Sequence, residues 1–331
     1  MSFSRYNPED SVISSETVVR GLWSGDNNTL ATNQMYTSST YTEYYLNVYN
    51  NCELCSGSSV QFSIQYGNLN GSGSNLINSA VTNTSGAFTP SRVVYGEYRN
   101  LVYGTENANF SFNSSQTASA IFVINVARSR YKESLLPGSL SLTLASGSSS
   151  IKLIDDSATT SLTRFVGENR FYYLIQSGSS SPYYGMLFPD LNVIVLNATS
   201  GTSGSLTGYI PVLTAATSSI SSANYNTTKL YTSMVLGAST SSFALQSQET
   251  VSSRYFFTRV KNSDFNYTTN PSIIDDNGNL LYTTLINNPQ TYITTVGMYN
   301  DNNELLAVAK LSKPLTKDFT KEALIRIKLD Y

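Results

Sequence analysis

The chain has 331 residues, with 24 Tyr and 14 Phe against one Trp, and only 13% of its residues are charged, about half the roughly 25% usual in globular proteins. Its 20 basic and 22 acidic residues give a formal net charge of −2, too small a field to draw in a phosphate backbone or an anionic bilayer, so neither nucleic acid nor membrane is an expected partner. No histidine is present, which excludes Ser-His-Asp, Cys-His and His-metal chemistry and leaves carboxylate pairs as the surviving acid-base option.

The remaining composition is aromatic and β-favouring, and the chain is long enough for about two domains. The opening "MSFSRYNPED" has no basic start followed by an apolar run, and nowhere do 18 apolar residues occur together. Neither a signal peptide nor a membrane-spanning helix is expected. Asn-x-Ser/Thr triplets, at Asn83, Asn226 and Asn266 among others, arise by chance in a chain this rich in all three residues.

In chain order, residues 41–66 predict two strands around a loop, with Leu46 and Val48 alternating against Tyr45, Asn47 and Tyr49, and Val60, Phe62, Ile64 and Tyr66 alternating after it. Cys52 and Cys55 lie in that loop as a single Cys-x-x-Cys. Without further Cys or His, the pair is read as an incidental loop feature, with a local disulfide or an intersubunit metal as the alternatives. "GNLNGSGSN" lacks the Gly-Lys-Ser/Thr ending of a phosphate loop and reads as a flexible turn. "TPSRVVYGEYRNLVYG" predicts a helix capped by Thr89 with Pro90 at its first position, burying Val94, Tyr98, Leu101 and Val102.

"ASAIFVINVARSRY" predicts a buried strand, "KESLLPGS" a Pro-Gly turn, and Leu140, Leu142 and Leu144 a strictly alternating strand. The Ser and Gly run at 145–150 reads as a boundary between β-rich domains at 1–150 and 151–331. Strands are expected at "SIKLIDD", "RFYYLIQSG" and "YGMLFPDLNVIVLN", then a Ser/Gly-rich middle with a weak helix near Lys229 to Leu236. The adjacent pairs Asp155-Asp156 and Asp275-Asp276 read as solvated turns rather than as an acid and a base.

Beyond residue 251 the pattern sharpens into a strand at "SRYFFTRVKNSDFN" and a type I′ hairpin at Asn277-Gly278. A second antiparallel pair, "TYITTVGMY" with "ELLAVAKL", is expected around Asn300 to Asn303. A terminal strand follows, with Ile325, Ile327 and Leu329 on one face and Arg326, Lys328 and Asp330 on the other. The last strands are free to return to the first domain. The coarse result is a mainly β protein of antiparallel, sandwich-like domains with one or two short helices. Of the chain's 42 formal charges, 11 lie in residues 301–331. That charge is either a solvated strand face or a docking face using complementary charge, whose members would be Lys313, Lys317, Lys321, Arg326, Lys328 and Tyr331.

The ending "YITTVGMYNDNNELLAVAKLSKPLTKDFTKEALIRIKLDY", with "VVRGLWSGD", "VARSRYKESLLPGSLSL", "YGMLFPDLNVIVLN" and "FFTRVKNSDFNYTTNPS", resembles virion structural proteins of large contractile-tailed phages, including phages of cyanobacteria. The resemblance implies a non-enzymatic tail component, a baseplate wedge or baseplate-proximal subunit. It would be made in the host cytoplasm and built into the virion in multiple copies against other virion structural proteins. No catalytic, cofactor-binding or metal residue is implied, nor a small-molecule ligand. A head-tail neck or capsid-associated role and a tail receptor or glycan-binding module are the alternatives.

Overall fold

The computed structural model describes residues 5, 7–37, 45–51, 55–71, 91–113, 116–146, 149–159, 164–167, 169–178, 182–199, 210, 223–236, 243–266 and 270–330. The chain is mainly β, with antiparallel sheets and, among the described residues, three short helices, Ser91–Tyr103, Ala223–Leu236 and Thr283–Asn287. It forms two compact units, residues 17–249 and residues 1–16 with 250–331. The boundary expected at 145–150 is therefore corrected. The run lies between Ser141–Ser146 and Ser149–Asp155, which pair with Leu144 opposite Ile151 and Ser146 opposite Ser149, so a stretch that looks like a linker closes a hairpin.

The larger unit is organised by a twelve-stranded sheet, all of whose pairings are antiparallel. Its central strands, Val60–Asn68, Ala120–Val126 and Val193–Asn197, bear out the predicted runs and are almost wholly buried. Alternation still matters inside them. Phe122, Ile124, Ile194 and Leu196 join one apolar cluster, while Ile121, Val123, Val193 and Val195 join another on the opposite face, because successive side chains point to opposite sides of a strand. Leu230 and Met234 of helix Ala223–Leu236 belong to the first cluster, which also holds the single Trp: Trp23 packs against Phe62 and Phe243 with ring centroids 5.8 and 4.8 Å away.

Helix Ser91–Tyr103 covers the second face with Val94, Tyr95, Tyr98 and Val102. Leu101, expected inside, is exposed, and Tyr95 is fully buried in its place. The Tyr95 hydroxyl donates to the Ala118 carbonyl at 2.8 Å and accepts from the Phe110 amide at 3.1 Å, which turns the buried face toward Tyr95 and away from Leu101 while Val94, Tyr98 and Val102 stay inside as expected. The helix also approaches the sheet closely at Gly67, where a Cβ would lie 2.9 Å from the Tyr95 amide nitrogen. Gly67 and Asn68 thus belong to a strand and not to a flexible turn; the rest of that turn beyond residue 71, and the Thr89 and Pro90 cap, lie outside the described residues.

Leu136 to Ser139 make the predicted turn, with Gly138 at φ +85° and the Ser139 amide on the Leu136 carbonyl. Asp155 and Asp156, read as solvated, are buried. Asp155 Oδ1 accepts from the Gly138 amide at 2.8 Å and from the Ser157 amide at 3.2 Å, and Oδ2 accepts from Leu140 at 3.3 Å. Asp156 pairs with Arg164 at 2.7 Å and accepts the Leu174 amide at 2.9 Å. Both carboxylates satisfy backbone donors of the surrounding turns and strands, those of Leu140 and Leu174 being buried. Cys55 is disulfide-bonded, which displaces the incidental reading of the Cys-x-x-Cys; Cys52 lies outside the described residues.

In the smaller unit the terminal strand Ala323–Asp330 pairs with Gln246–Val260, from Val260 opposite Ala323 to Ser253 opposite Asp330, and Ser11–Gly21 pairs with the other edge of Gln246–Val260. The last strand's partner is therefore a neighbouring C-terminal strand. The second expected hairpin forms as Thr291–Tyr299 with Leu305–Lys317. The Asn277-Gly278 hairpin shrinks to one bridge, Ile274 with Leu280, and "YTTL" turns into the start of helix Thr283–Asn287. Gly278 has φ +83° and Asn277 is not among the positive-φ residues. With the Gly278 amide on Asp275 O, the turn has Asp276 and Asn277 at its centre and a left-handed glycine after it, the three-residue hairpin loop rather than type I′.

Candidate assembly surface

Six residues were expected to form a charged docking face, and the structure disperses them. Tyr331 lies outside the described residues. Lys317 is 1% exposed: its Nζ donates to the carbonyls of Asn262, at 2.9 Å, and of Asp264, and to Asn266 Oδ1 at 2.5 Å. It is an internal clamp on the 261–266 loop and cannot dock anything. Lys321 pairs with Asp318 at 3.0 Å. Lys328 pairs with Asp330 at 3.1 Å and lies 3.9 Å from Glu16, while the Arg326 guanidinium sits 5.5 Å from the centre of the Tyr255 ring. Lys313 is exposed on the hairpin.

The terminal strand's charges are thus largely matched within their own sheet. Asp330 is held below the usual carboxylate range by the Ser253 hydroxyl and by Lys328, whose own pKa Asp330 raises. Asp318 is held lowest, at about 2, first by the Thr320 hydroxyl and then by Lys321. The exposed Lys328–Asp330 pair contributes little to stability, and mutual neutralisation in the two pairs leaves little net charge for steering.

Sequence reasoning missed an apolar face. The hairpin's inner side, Ile293, Val296, Met298 and Ala309, packs against Phe256, Ile325 and Ile327. A groove of about 250 Å³ remains between hairpin and terminal strand, lined by Val296, Met298, Ala307, Ala309, Ile327 and Leu329 among others. The outer side carries Tyr299, Leu305, Leu306 and Val308, which are 42%, 54%, 66% and 64% exposed. Gly297, opposite Val308, lies beneath the Tyr299 ring: a Cβ there would meet Tyr299 Cε2 at 2.9 Å and Leu305 Cδ1 at 3.4 Å. The signal was legible in "ELLAVAKL", where small Ala307 and Ala309 alternate with larger residues. The small residues face the sheet and the large ones face out, the reverse of a strand that keeps its bulk for the core.

The hairpin's turn is a compact device. Asn300 Oδ1 accepts from the amides of Asn302 and Glu304, its Nδ2 donates to Glu304 Oε2 at 2.6 Å, and Asn303 takes φ +63°. The same arrangement recurs at Asp275 to Asn279, where Asp275 Oδ1 accepts from Asn277 and Asn279 and Oδ2 accepts from Asn279 Nδ2. Side chains that satisfy the turn amides hold the strand ends in register.

Among the described residues, no cluster of three or more Cys, Asp or Glu is placed to hold a metal ion, and no helix is long and apolar enough to cross a membrane. No family model matches the chain, and neither a curated protein nor a solved structure matches it.

Proposed function

We propose that this chain is a non-enzymatic structural subunit of a phage virion, a baseplate or baseplate-proximal component that works by protein–protein assembly. The observation that carries the reading is where the apolar surface lies. Of the 21 large apolar side chains exposed among the described residues, 14 belong to residues 1–16 and 250–331, under a third of the chain. Isolated exposed apolar residues need no explanation, whereas a concentration of them marks a surface that is covered in use. The place in a phage tail comes from the sequence resemblance, strongest in that same C-terminal stretch. A disulfide at Cys55 suits a particle released from a reducing cytoplasm.

Immunogold electron microscopy of particles from the source lysate, with antibodies raised against the purified chain, tests the reading. Label at the tail tip is the expected result. Label at the head or neck would keep the structural role and move its place, and an absence of label on both intact and disrupted particles would overturn it.

A further inference from the structure

We propose that Lys317 and Asn266 are a self-modification site, at which the lysine amine displaces ammonia from the asparagine side chain and leaves an isopeptide bond between the two. The proposal stands apart from the virion reading, since it needs only the folded C-terminal unit. Three observations lead to it.

The first is the setting of Lys317. It is the one buried lysine among the described residues, and no carboxylate there pairs with it. Its three partners, Asn262 O, Asp264 O and Asn266 Oδ1, are all neutral. A charge taken out of water without an opposite charge beside it is costly. Amide formation removes that charge and keeps one N–H to donate to the surrounding carbonyls, so the linked product suits the site better than the ammonium does.

The second is distance. Nζ lies 2.5 Å from Asn266 Oδ1, and a carbonyl bond is about 1.23 Å long, so the amide carbon Cγ is within about 3.7 Å of the nitrogen that attacks it. Well-aligned groups held this close behave as though at effective molarities on the order of 10⁵–10⁸ M. Both sides are fixed. Lys317 ends the strand Leu305–Lys317, where it is paired with Thr291, and Asp264 Oδ2 ties the facing loop by accepting the Lys261 amide at 3.1 Å.

The third is the placing of the leaving group. Asn266 Nδ2 donates to Asn262 O at 2.7 Å, and the same oxygen accepts from Lys317 Nζ at 2.9 Å. One carbonyl thus holds the attacking and the departing nitrogen together. The terminal torsion of asparagine is broad, so the amide plane turns readily to present Cγ. Nζ sheds one proton to water at the exposed residues 261–263 and its lone pair forms the bond to Cγ, while Oδ1 takes up the carbonyl π electrons. As the carbonyl re-forms, the Cγ–Nδ2 bond breaks, Nδ2 takes a second proton from Nζ, and ammonia leaves to be protonated in water. An alkylammonium and a primary amide become a secondary amide and an ammonium ion, with no oxidant or reductant.

The bond forms after folding, over hours, and the hydrogen-bonded clamp holds the loop until then. It closes a ring between residues 51 apart that contains the whole hairpin of Thr291–Tyr299 and Leu305–Lys317. A hairpin tied in this way cannot be pulled free of the loop that follows Gln246–Val260. Such a tie suits a subunit under mechanical load, and that use of it rests on the assembly reading above.

Intact-mass spectrometry of the full chain tests the proposal, on protein shown to be folded by circular dichroism, held overnight in neutral buffer and then reduced. Wild type should be lighter than its sequence by one ammonia. Trypsin should leave Lys317 uncut, and tandem mass spectrometry should find it joined to the peptide that begins at Asn262. Lys317→Arg and Asn266→Ala should each keep the full mass. The wild-type peptide map decides the matter even where a variant folds poorly. Folded wild type at full mass, or an ammonia loss that persists in Lys317→Arg as cyclisation of another asparagine would give, would each overturn the proposal. An unlinked chain that labels virions would sink the bond and leave the virion role; a linked chain absent from particles would do the reverse.

Discussion

Replacing Lys317 with methionine isolates the one lysine of the charged tail that the fold has buried. Methionine keeps the length and apolar stem but removes three hydrogen bonds from Nζ, to Asn262 O, Asp264 O and Asn266 Oδ1. Bonds from a charged donor contribute about 1.5–3 kcal/mol each in mutational series. Against this stands the desolvation of the ammonium, several kcal/mol that the variant no longer incurs. The acceptors lie in the 261–266 loop, much of which is exposed, so water can reach them once the loop loosens. The net loss should be about 2 kcal/mol, confined to the C-terminal unit. For a unit of under 100 residues, that lowers its own transition by about 8–16 °C. Scanning calorimetry with hydrogen exchange measures it: amides of 261–266 and of Thr291–Tyr299 should lose protection, while those of the twelve-stranded sheet should not. Lys313→Met, at an exposed site, should change stability by less than about 0.5 kcal/mol. Equal effects at the two lysines would refute the argument that the carbonyl clamp holds the loop.

Asp318 is held at about 2 by Thr320 and Lys321, below the ordinary carboxylate value, so its stabilising contribution is full above about pH 4 and is lost as pH falls toward about 2. Thr320→Val should shift acid unfolding of the C-terminal unit to higher pH, which far-ultraviolet circular dichroism would follow; an unchanged acid midpoint would count against the assignment. Burial, reinforced by the neighbouring Glu97 charge, pushes Tyr98 up to about 12. The folded state therefore keeps this proton while the unfolded chain releases it above about pH 10, and stability falls between those values. Tyr98→Phe should flatten the loss, read as alkaline unfolding against the tyrosinate absorbance. Deleting Lys321 to Tyr331 removes Ala323–Asp330 and with it eight register partners of Gln246–Val260, exposing Phe256 and an unpaired edge. The truncated chain should aggregate or fail to incorporate into particles, and normal assembly would show that the tail is dispensable.

Local pattern alone was enough wherever burial repeats with the period of the chain. Phe62 and Ile64, Leu142 and Leu144, and Ile325 and Ile327 alternate in the sequence and are buried in the structure, because a strand with one face against a core must carry its apolar side chains at every second position. Polarity opposite them, at Arg326 and Lys328, was equally legible. The mainly antiparallel β class follows from several such segments together with short turn-rich connections.

Tertiary structure decided what depends on partners distant along the chain. The Ser and Gly composition of residues 145–150 suits a linker and a hairpin turn alike, and only pairing of Leu144 with Ile151 separates them. Asp155 and Asp156 read as solvated because their donors, Gly138, Leu140 and Leu174, lie 15 to 18 residues away. Lys317 resembles its exposed neighbours until the loop after Val260 folds over it. The hairpin's outer face is the sharpest case: alternation shows that two faces of Leu305–Lys317 differ, but not which one meets Ile325 and Ile327. Small Ala307 and Ala309 lie on the side that faces the sheet, and the bulk of Leu306 and Val308 is turned outward. Periodicity sorts residues onto faces, while the assignment of a face to core or surface is a contest between long-range packings that no local window contains.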